Sequence, residues 1–309
     1  MVRIVRPANL LIMGFTMMIF WFLMIQPVLI NNGVQPSIHN LEFTLLMIMV
    51  MLIAGGGYVI NDIYDLRSDS VNKPERPIGN SISIEQARKL YFILNALALV
   101  GAFYLTYKTQ NFNIVAICAG CTLLLWLYSK ILKSTVLLGN VIVSLLIGGV
   151  PFIFVITESQ ALGELQLTAA GVHSSVYIDI LGFTIFAFMT NLIREIVKDC
   201  EDFEGDLRTG TITIATGLGF KKADYFSISL TVILLLLTYL YARLSNLGHY
   251  PIEQIAFPIL IWVPLIILLY YLITKERKKP KYTFLSRFLK GIMFFGLLYL
   301  MIHFRLTYA

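Results

Sequence analysis

The stretch Asn61-Asp62-Ile63-Tyr64-Asp65-Leu66-Arg67-Ser68-Asp69 ends a long apolar run and decides how the fold is interpreted. A second acidic stretch, Asp199-Cys200-Glu201-Asp202-Phe203-Glu204-Gly205-Asp206, ends another apolar run more than a hundred residues later. Both place aspartates at positions i, i+3 and i+7, which brings all three to one face of a helix. Like charges at that distance repel unless a cation lies between them. Two such clusters therefore predict a site for divalent cations and a polyanion.

The composition is that of an integral membrane protein. Hydrophobic residues make up 58% and charged residues 14% of the 309 positions, whereas soluble domains carry about 25% charged residues. A helix needs about 20 apolar residues to cross a bilayer, so we predict an all-α, polytopic membrane protein that forms one domain over residues 1–309. The nine predicted spans are 8–30, 40–62, 86–107, 112–128, 135–156, 176–198, 223–244, 252–273 and 284–305.

Lysine and arginine are distributed unevenly between the two sides of a nine-span chain. The sequence has 24 lysines and arginines, and 21 of them lie near the N-terminus or near the loops after even-numbered spans. The three exceptions are Lys108, Arg243 and Arg305. Positive charge accumulates on the cytoplasmic side. We therefore predict a protein of the cell inner membrane with its N-terminus and both acidic loops cytoplasmic and its C-terminus on the opposite side. The net charge of +6 then reflects topology and contact with anionic membrane lipid, and no nucleic acid partner is expected.

The first acidic stretch has the ligand chemistry of a magnesium site. Asn61, Asp65 and Asp69 offer amide and carboxylate oxygens, which suit Mg²⁺. This ion is commonly held by one or two carboxylates together with substrate phosphates. Two facing walls of carboxylates could therefore hold a diphosphate through bridging ions.

Cations surround both acidic stretches, and they are the usual partners of phosphate oxygens. Arg194 and Lys198 are one helical turn apart at the end of an apolar span, where a charge is costly and is functional by default. The candidate contacts are Lys73 and Arg76 after the first stretch, Tyr128, Lys130 and Lys133 at the end of the fourth span, and Arg194 and Lys198 before the second stretch.

Two other classes of membrane protein also use acidic residues. Transporter sites usually lie near the bilayer midplane, whereas these acids lie at the ends of spans whose middles carry almost no charge. A CDP-alcohol phosphatidyltransferase needs one compact Asp-Gly-x2-Ala-Arg cluster, which the sequence lacks. Both classes are therefore less favoured than an enzyme that acts on a diphosphate.

The two aspartate motifs resemble those of the UbiA superfamily of intramembrane prenyltransferases, and the resemblance covers essentially the whole chain. The matching stretches are Arg6-Pro7-x-Asn9, Asn61-x3-Asp65-x3-Asp69 with the following Asn72-Lys73-Pro74-Glu75-Arg76-Pro77, Leu127-Tyr128-Ser129, and Asp202-x3-Asp206.

The resemblance implies a bundle of helices around a central cavity in which an isoprenyl diphosphate binds through Mg²⁺. It implies catalytic roles for Tyr128, Arg194 and Lys198. Phosphate or diphosphate contacts are expected from Lys73, Arg76, Lys130, Lys133, Arg194 and Lys198. Metal ligands are expected from Asn61, Asp65, Asp69, Asp202 and Asp206, with Asp62 and Asp199 as supporting acids.

The acceptor is the open part of this interpretation. The sequence from Arg194 to Asp206 is most similar to the digeranylgeranylglyceryl phosphate synthases, which prenylate a geranylgeranylglycerol phosphate. The alternative is an aromatic precursor of a quinone or menaquinone. A lipid acceptor with its own phosphate would need a second cationic subsite, for which Lys73, Lys130 and Lys133 are the sequence candidates.

Overall fold

A computed structural model describes residues 2–72, 77–245 and 250–308. These residues form helices joined by short connections, and no β-strand occurs among them. In chain order the helices are α1 (Pro7–Asn31), α2 (Asn40–Tyr64), α3 (Leu66–Asn72), α4 (Ile84–Thr109), α5 (Asn113–Lys130), α6 (Leu138–Gly148), α7 (Phe152–Thr157), α8 (Ser159–Thr168), α9 (Ala170–Glu201), α10 (Phe203–Thr209), α11 (Ile214–Leu218), α12 (Phe220–Leu244), α13 (Pro251–Thr274) and α14 (Lys279–Thr307).

Within the described ranges, eight helices are long and apolar enough to cross a membrane: α1, α2, α4, α5, α9, α12, α13 and α14. They correspond to eight of the nine predicted spans, with ends shifted by no more than six residues. Each of these helices also turns apolar side chains outward, as Leu97 and Leu236 do, which suits lipid surroundings. The predicted all-α polytopic fold is confirmed.

The fifth predicted span, 135–156, is broken into two shorter helices. α6 ends at Gly148, and α7 begins after Pro151. Proline has no backbone N–H and its ring clashes with the preceding turn of a helix. Apolar length alone could not reveal this break, because the residues on both sides of it are hydrophobic.

Close approach between helices depends on small residues, as is common in membrane bundles. α2 packs along α4. An added Cβ at Gly56 would lie 2.6 Å from the side-chain nitrogen of Asn95, and one at Gly101 would lie 2.8 Å from Cγ of Met49. The longest helix, α9, packs against α6, α12 and α14 and therefore forms the centre of the other half of the bundle.

A buried polar network joins four helices at the end of the bundle where α9 begins. Asp179 of α9 accepts hydrogen bonds from the Tyr241 hydroxyl (2.8 Å) and the Tyr308 hydroxyl (2.6 Å). The ring nitrogens of His303 lie 3.1 Å from Asp179 and 2.6 Å from Glu253. Because buried polar groups are costly unless they are paired, this network fixes the relative positions of α9, α12, α13 and α14.

Candidate functional site

Two short helices bring the acidic stretches together at the opposite end of the bundle. α3 continues the first stretch, α10 continues the second, and these two helices pack against each other. Asp69 on α3 and Asp206 on α10 are both buried at 8% exposure. The prediction that the two stretches lie close together is therefore supported by the fold. We refer to the part of the molecule around Asp65, Asp69, Asp202 and Asp206 as the acidic end.

The middle aspartate of each stretch marks a break between two helices. Asp65 follows the last residue of α2 with φ −83° and ψ 2°, and Asp202 follows the last residue of α9 with φ −90° and ψ 5°. Both lie in the sparsely populated bridge region, where many active-site residues are found. The sequence spacing had suggested one continuous helical face. Instead the chain bends at the same position of both stretches, so each acidic side chain beyond the bend is directed by a separate short helix.

Lys133 connects the two acidic stretches. It lies in a 3₁₀ turn, Leu132–Ser134, and its ammonium forms an ion pair with Asp65. Burial alone lowers the pKa of Lys133, but the carboxylate of Asp65, the hydroxyl of Tyr128 and the carboxylate of Asp206 outweigh burial and raise the pKa above its usual value. The side chain therefore keeps its positive charge between the first and the second stretch.

Gly139 allows this turn to lie directly on α6. An added Cβ at Gly139 would lie 2.7 Å from the carbonyl oxygen of Leu132 and 2.9 Å from Cα of Lys133. Contacts below 3.0 Å with backbone atoms cannot be relieved by a side-chain rotation. Glycine at this position thus sets the distance between the Lys133 turn and the bundle.

Arg6 directly precedes α1, and its side chain reaches the first acidic stretch. Its guanidinium donates a hydrogen bond of 2.6 Å to Asp62 and lies 4.8 Å from the centre of the Tyr58 ring. The backbone of Arg6 has φ 52° and ψ 64°, a left-handed conformation that costs energy for any residue with a side chain. Pro7, the next residue, disfavours the right-handed helical conformation here. Asp62, which the sequence suggested as a supporting metal ligand, is therefore bound to an arginine.

The second acidic stretch has its own partners. Asn140 of α6 donates a hydrogen bond of 2.9 Å to the carboxylate of Asp199. Lys198 lies one helical turn before Asp202, and their charged atoms are 4.0 Å apart. Arg194 donates a hydrogen bond of 2.7 Å to Glu195. This stretch therefore carries cations and acids in alternation along the last turns of α9.

A central cavity of about 310 Å³ opens beneath the acidic end. Most of its wall is apolar and is contributed by α1, α2, α5, α6, α9 and α14. Its polar part contains one carboxylate, Glu195, and four cations. The charged and polar residues that line it near the acidic end are Arg6, Tyr58, Asn61, Tyr128, Arg194, Glu195, Lys198 and Lys290.

Not every predicted site residue lies at this cavity. Asn61, Tyr128, Arg194 and Lys198 line it, and Lys133 reaches Asp65 above it. The ammonium of Lys130 instead lies 4.6 Å from the centre of the Trp126 ring, and its side chain is exposed. Lys73 and Arg76 lie outside the described residues.

Sequence reasoning did not select two of the cavity cations. Arg6 had a signal, since it belongs to the matching Arg6-Pro7-x-Asn9 stretch. Lys290 lies inside the predicted span 284–305, but the sequence analysis used it only in the count of positive charges near the cytoplasmic loops. Because α14 begins at Lys279, earlier than predicted, Lys290 is in fact far inside the helix.

The donor atoms at the acidic end suit magnesium. No three His, Cys, Asp or Glu side chains within the described residues converge into a ready-made cage for a metal ion. Mg²⁺ does not need one, because one or two carboxylates and substrate phosphates commonly complete its shell. The amide of Asn61 donates 2.7 Å to Asp65, while its own buried Oδ1 has no hydrogen-bond partner. An oxygen ligand beside a carboxylate is thus available on α2.

Comparison with known proteins connects this geometry to a reaction. The UbiA prenyltransferase family matches residues 9–298 of the chain. The digeranylgeranylglyceryl phosphate synthase of Methanosphaera stadtmanae is 33% identical over 258 residues, which make up 82% of this chain and 84% of that protein.

Solved structures agree with this result. One from a study of digeranylgeranylglyceryl phosphate synthase in membranes has a TM-score of 0.67 and 28% identity, and the match covers 98% of this chain and 96% of that chain. A UbiA homologue from Archaeoglobus fulgidus, bound to DMAPP and Mg²⁺, shares the fold with a TM-score of 0.56 and 15% identity over 97% of this chain and 98% of that chain.

Proposed function

Because the chain belongs to the UbiA prenyltransferase family, we propose that it transfers a geranylgeranyl group from an isoprenyl diphosphate to a lipid acceptor of the geranylgeranylglycerol phosphate type. Family membership makes it an integral membrane enzyme of prenyl transfer. The donor's chain length, the acceptor and the dependence on Mg²⁺ are the proposed parts. The similarity to digeranylgeranylglyceryl phosphate synthases over most of both chains supports this acceptor over an aromatic one.

The donor's diphosphate is assigned to the acidic end. Asn61, Asp65 and Asp69 on one side and Asp202 and Asp206 on the other would hold Mg²⁺, with Asp62 and Asp199 in supporting positions. Bound Mg²⁺ would neutralise charge on the diphosphate as it leaves. The fold relative bound to DMAPP and Mg²⁺ supports this assignment.

The cations of the site act on the same leaving group. Lys133 is held at Asp65, so its ammonium can donate to a diphosphate oxygen bound beside that carboxylate. Lys198 is placed at Asp202 in the same way. Arg194 and the hydroxyl of Tyr128 line the cavity just below and can donate to the departing oxygen. Donors that are already in position stabilise developing charge without reorganisation.

The reaction follows from this arrangement. The allylic C–O bond of the donor breaks, and its electron pair leaves with the diphosphate. The glycerol hydroxyl of the acceptor then forms the new C–O bond and releases its proton. Aromatic faces of the cavity, such as that of Phe186, can stabilise the allylic cation, and the apolar wall limits its capture by water.

The single observation that carries this proposal is that Lys133 is paired with Asp65 and lies in the field of Asp206, at the end of the bundle where Asn61 and Tyr128 line a largely apolar cavity. The test offers purified protein geranylgeranyl diphosphate together with either geranylgeranylglycerol phosphate or 4-hydroxybenzoate, with Mg²⁺ or with a chelator. We expect the diether phosphate as the product, and only with Mg²⁺. An aromatic product, or equal turnover in the chelator, contradicts the proposal.

Two assignments made from sequence complete the proposal. Residues 1–309 are taken as one domain, and the acidic end is taken to face the cytoplasm from the cell inner membrane, with the C-terminus on the other side. The distribution of lysine and arginine supports this orientation. Labelling of single cysteines placed at the exposed positions Arg67 and Thr307 in sealed vesicles should show opposite accessibility, and labelling from the same side contradicts the orientation.

A further inference from the structure

We propose that Lys290, together with Arg6 and Arg194, forms a second anion subsite that binds the phosphate monoester of the acceptor lipid. This inference rests on the function proposed above and goes beyond it, because it assigns the acceptor's headgroup to particular residues. Lys73, one of the three sequence candidates for such a subsite, lies outside the described residues, and the other two have different partners. Lys130 lies on Trp126, and Lys133 is bound to Asp65.

The depth of Lys290 in the bundle is the first observation. It lies eleven positions after the first residue of α14, Lys279, which places it about 16 Å along the helix axis. α14 is long and apolar enough to cross a membrane, and an ionisable side chain that faces the interior of such a bundle is rare and marks a site for a substrate or an ion. The side chain of Lys290 is exposed, and it lines the central cavity.

The charges around Lys290 are the second observation. Arg6, Arg194 and Lys198 line the same cavity as Lys290, and Glu195 is the carboxylate that lines it with them. Four cations thus share the polar part of the cavity with a single carboxylate. Cations in such numbers repel one another, and an anion with two negative charges would relieve this repulsion.

The hydrogen-bonding capacity of these residues is the third observation. Lys290 has no hydrogen bond or ion pair with any described residue. Arg194 uses Nη1 for Glu195, while its Nε is buried and lacks a partner. Arg6 uses Nη2 for Asp62. Since a guanidinium has five N–H donors and an ammonium has three, all three residues retain donors for phosphate oxygens.

This subsite is centred deeper in the cavity than the aspartates assigned to the diphosphate and its Mg²⁺, and Arg194 lies between the two. Arg194 precedes Asp202 by eight positions, or about 12 Å along α9. Asp65, Asp69, Asp202 and Asp206 are not among the residues that line the cavity, whereas Arg6, Arg194 and Lys290 are. The acceptor's phosphate would therefore lie deeper than the diphosphate, next to the apolar wall that takes its hydrocarbon chain.

The test is two-substrate kinetics on Lys290→Gln, at fixed salt because such contacts are screened. The loss of one charge-assisted hydrogen bond should raise the KM for geranylgeranylglycerol phosphate about tenfold or more. The KM for geranylgeranyl diphosphate should change by less than about twofold, as expected when ground-state binding of one substrate is lost. Lys290→Arg should recover most of the acceptor affinity.

Two controls separate a phosphate contact from a general defect. Arg287 is exposed, lies one turn before Lys290 on α14 and does not line the cavity. Arg287→Gln removes its charge and should leave both KM values unchanged. Geranylgeranylglycerol, the acceptor without its phosphate, should react equally well with the parent and with Lys290→Gln. Melting temperatures of all variants report folding directly.

The outcomes are distinguishable. If the parent makes the diether phosphate but Lys290→Gln has an unchanged acceptor KM, or a raised KM only for the donor, the subsite is overturned and the proposed function stands. An equal loss with the acceptor that lacks phosphate also overturns it. If the parent itself ignores geranylgeranylglycerol phosphate, the proposed function fails, and the subsite fails with it.

Discussion

Lys133 forms an ion pair with Asp65 across 68 positions of sequence. The same ammonium also lies in the field of Asp206, so one side chain is electrostatically linked to both acidic stretches. It therefore belongs to the acidic end of the molecule as much as the aspartates do. Because Lys133 is held by a short turn, small changes in the position of that turn should change the rate of the reaction.

We expect Lys133→Gln to lower kcat by about 10²–10³, the usual effect of removing one donor from a group that stabilises developing charge. Stability should fall by about 1–3 kcal/mol, because Asp65 loses its charged partner. Steady-state kinetics and melting temperatures measure these two effects. The control is Lys89→Gln, which removes a surface pair with Glu85. Equal activity of Lys133→Gln and the control contradicts the role of Lys133.

Gly139→Ala should reduce activity without touching a charged residue. The new Cβ would lie 2.7 Å from the Leu132 carbonyl oxygen, so the turn that carries Lys133 must move away from α6. We expect kcat to fall about tenfold or more, since a displacement near 1 Å can cost about 10²-fold. Gly163→Ala, in a helix where an added Cβ meets nothing within 4 Å, is the matched control. Comparable kinetics for the two variants would show that the position of Lys133 does not depend on the contact between Gly139 and the turn.

Asp202→Ala should abolish turnover that depends on Mg²⁺ and should leave the fold intact. Clustered carboxylates at a functional site repel one another before substrate binds, so removing one costs little stability. Activity measured across a Mg²⁺ titration, with melting temperature alongside, tests the assignment. Glu204→Ala, on the neighbouring helix and exposed, is the control. Full activity of Asp202→Ala, or turnover by the parent without metal, is the contrary result.

Glu158 should make stability depend on pH. Burial raises the pKa of its carboxyl to about 7, although the backbone N–H groups of Ser37 and Ile38 donate to it at 2.7 Å and 3.0 Å and oppose this shift. The folded state therefore keeps a proton that the unfolded state releases near the ordinary glutamate pKa of 4.5. Stability from this group is greatest at low pH and falls as pH rises from about 4.5 to 7.

The measurement is the melting temperature of the parent and of Glu158→Gln between about pH 4.5 and pH 8. The shift corresponds to a loss of about 3 kcal/mol across this range, and the variant should lack that part of the pH dependence. Glu164→Gln, an exposed neighbour on α8, should behave as the parent does. If the parent and Glu158→Gln have parallel pH profiles, Glu158 is not the responsible group.

Sequence reasoning reached the fold because long apolar segments leave few alternatives in a membrane. Eight of the nine predicted spans and the meeting of the acidic stretches followed from composition and charge. The break at Pro151 and the bends at Asp65 and Asp202 did not, because they depend on packing between helices that are distant in sequence. The left-handed backbone of Arg6, the close packing of Gly139 and the position of Lys290 at the cavity are visible only once helix ends and neighbours are known.

The central cavity is charged at one end and apolar over most of its wall. A donor and an acceptor that each carry a phosphate group and a long hydrocarbon chain must therefore enter it in the same direction, with both headgroups towards its charged end. The two chains of the ether product would then lie side by side and point the same way. Such a molecule already has the orientation of a lipid within one leaflet, so it could diffuse sideways into the membrane and no flipping step would follow its synthesis.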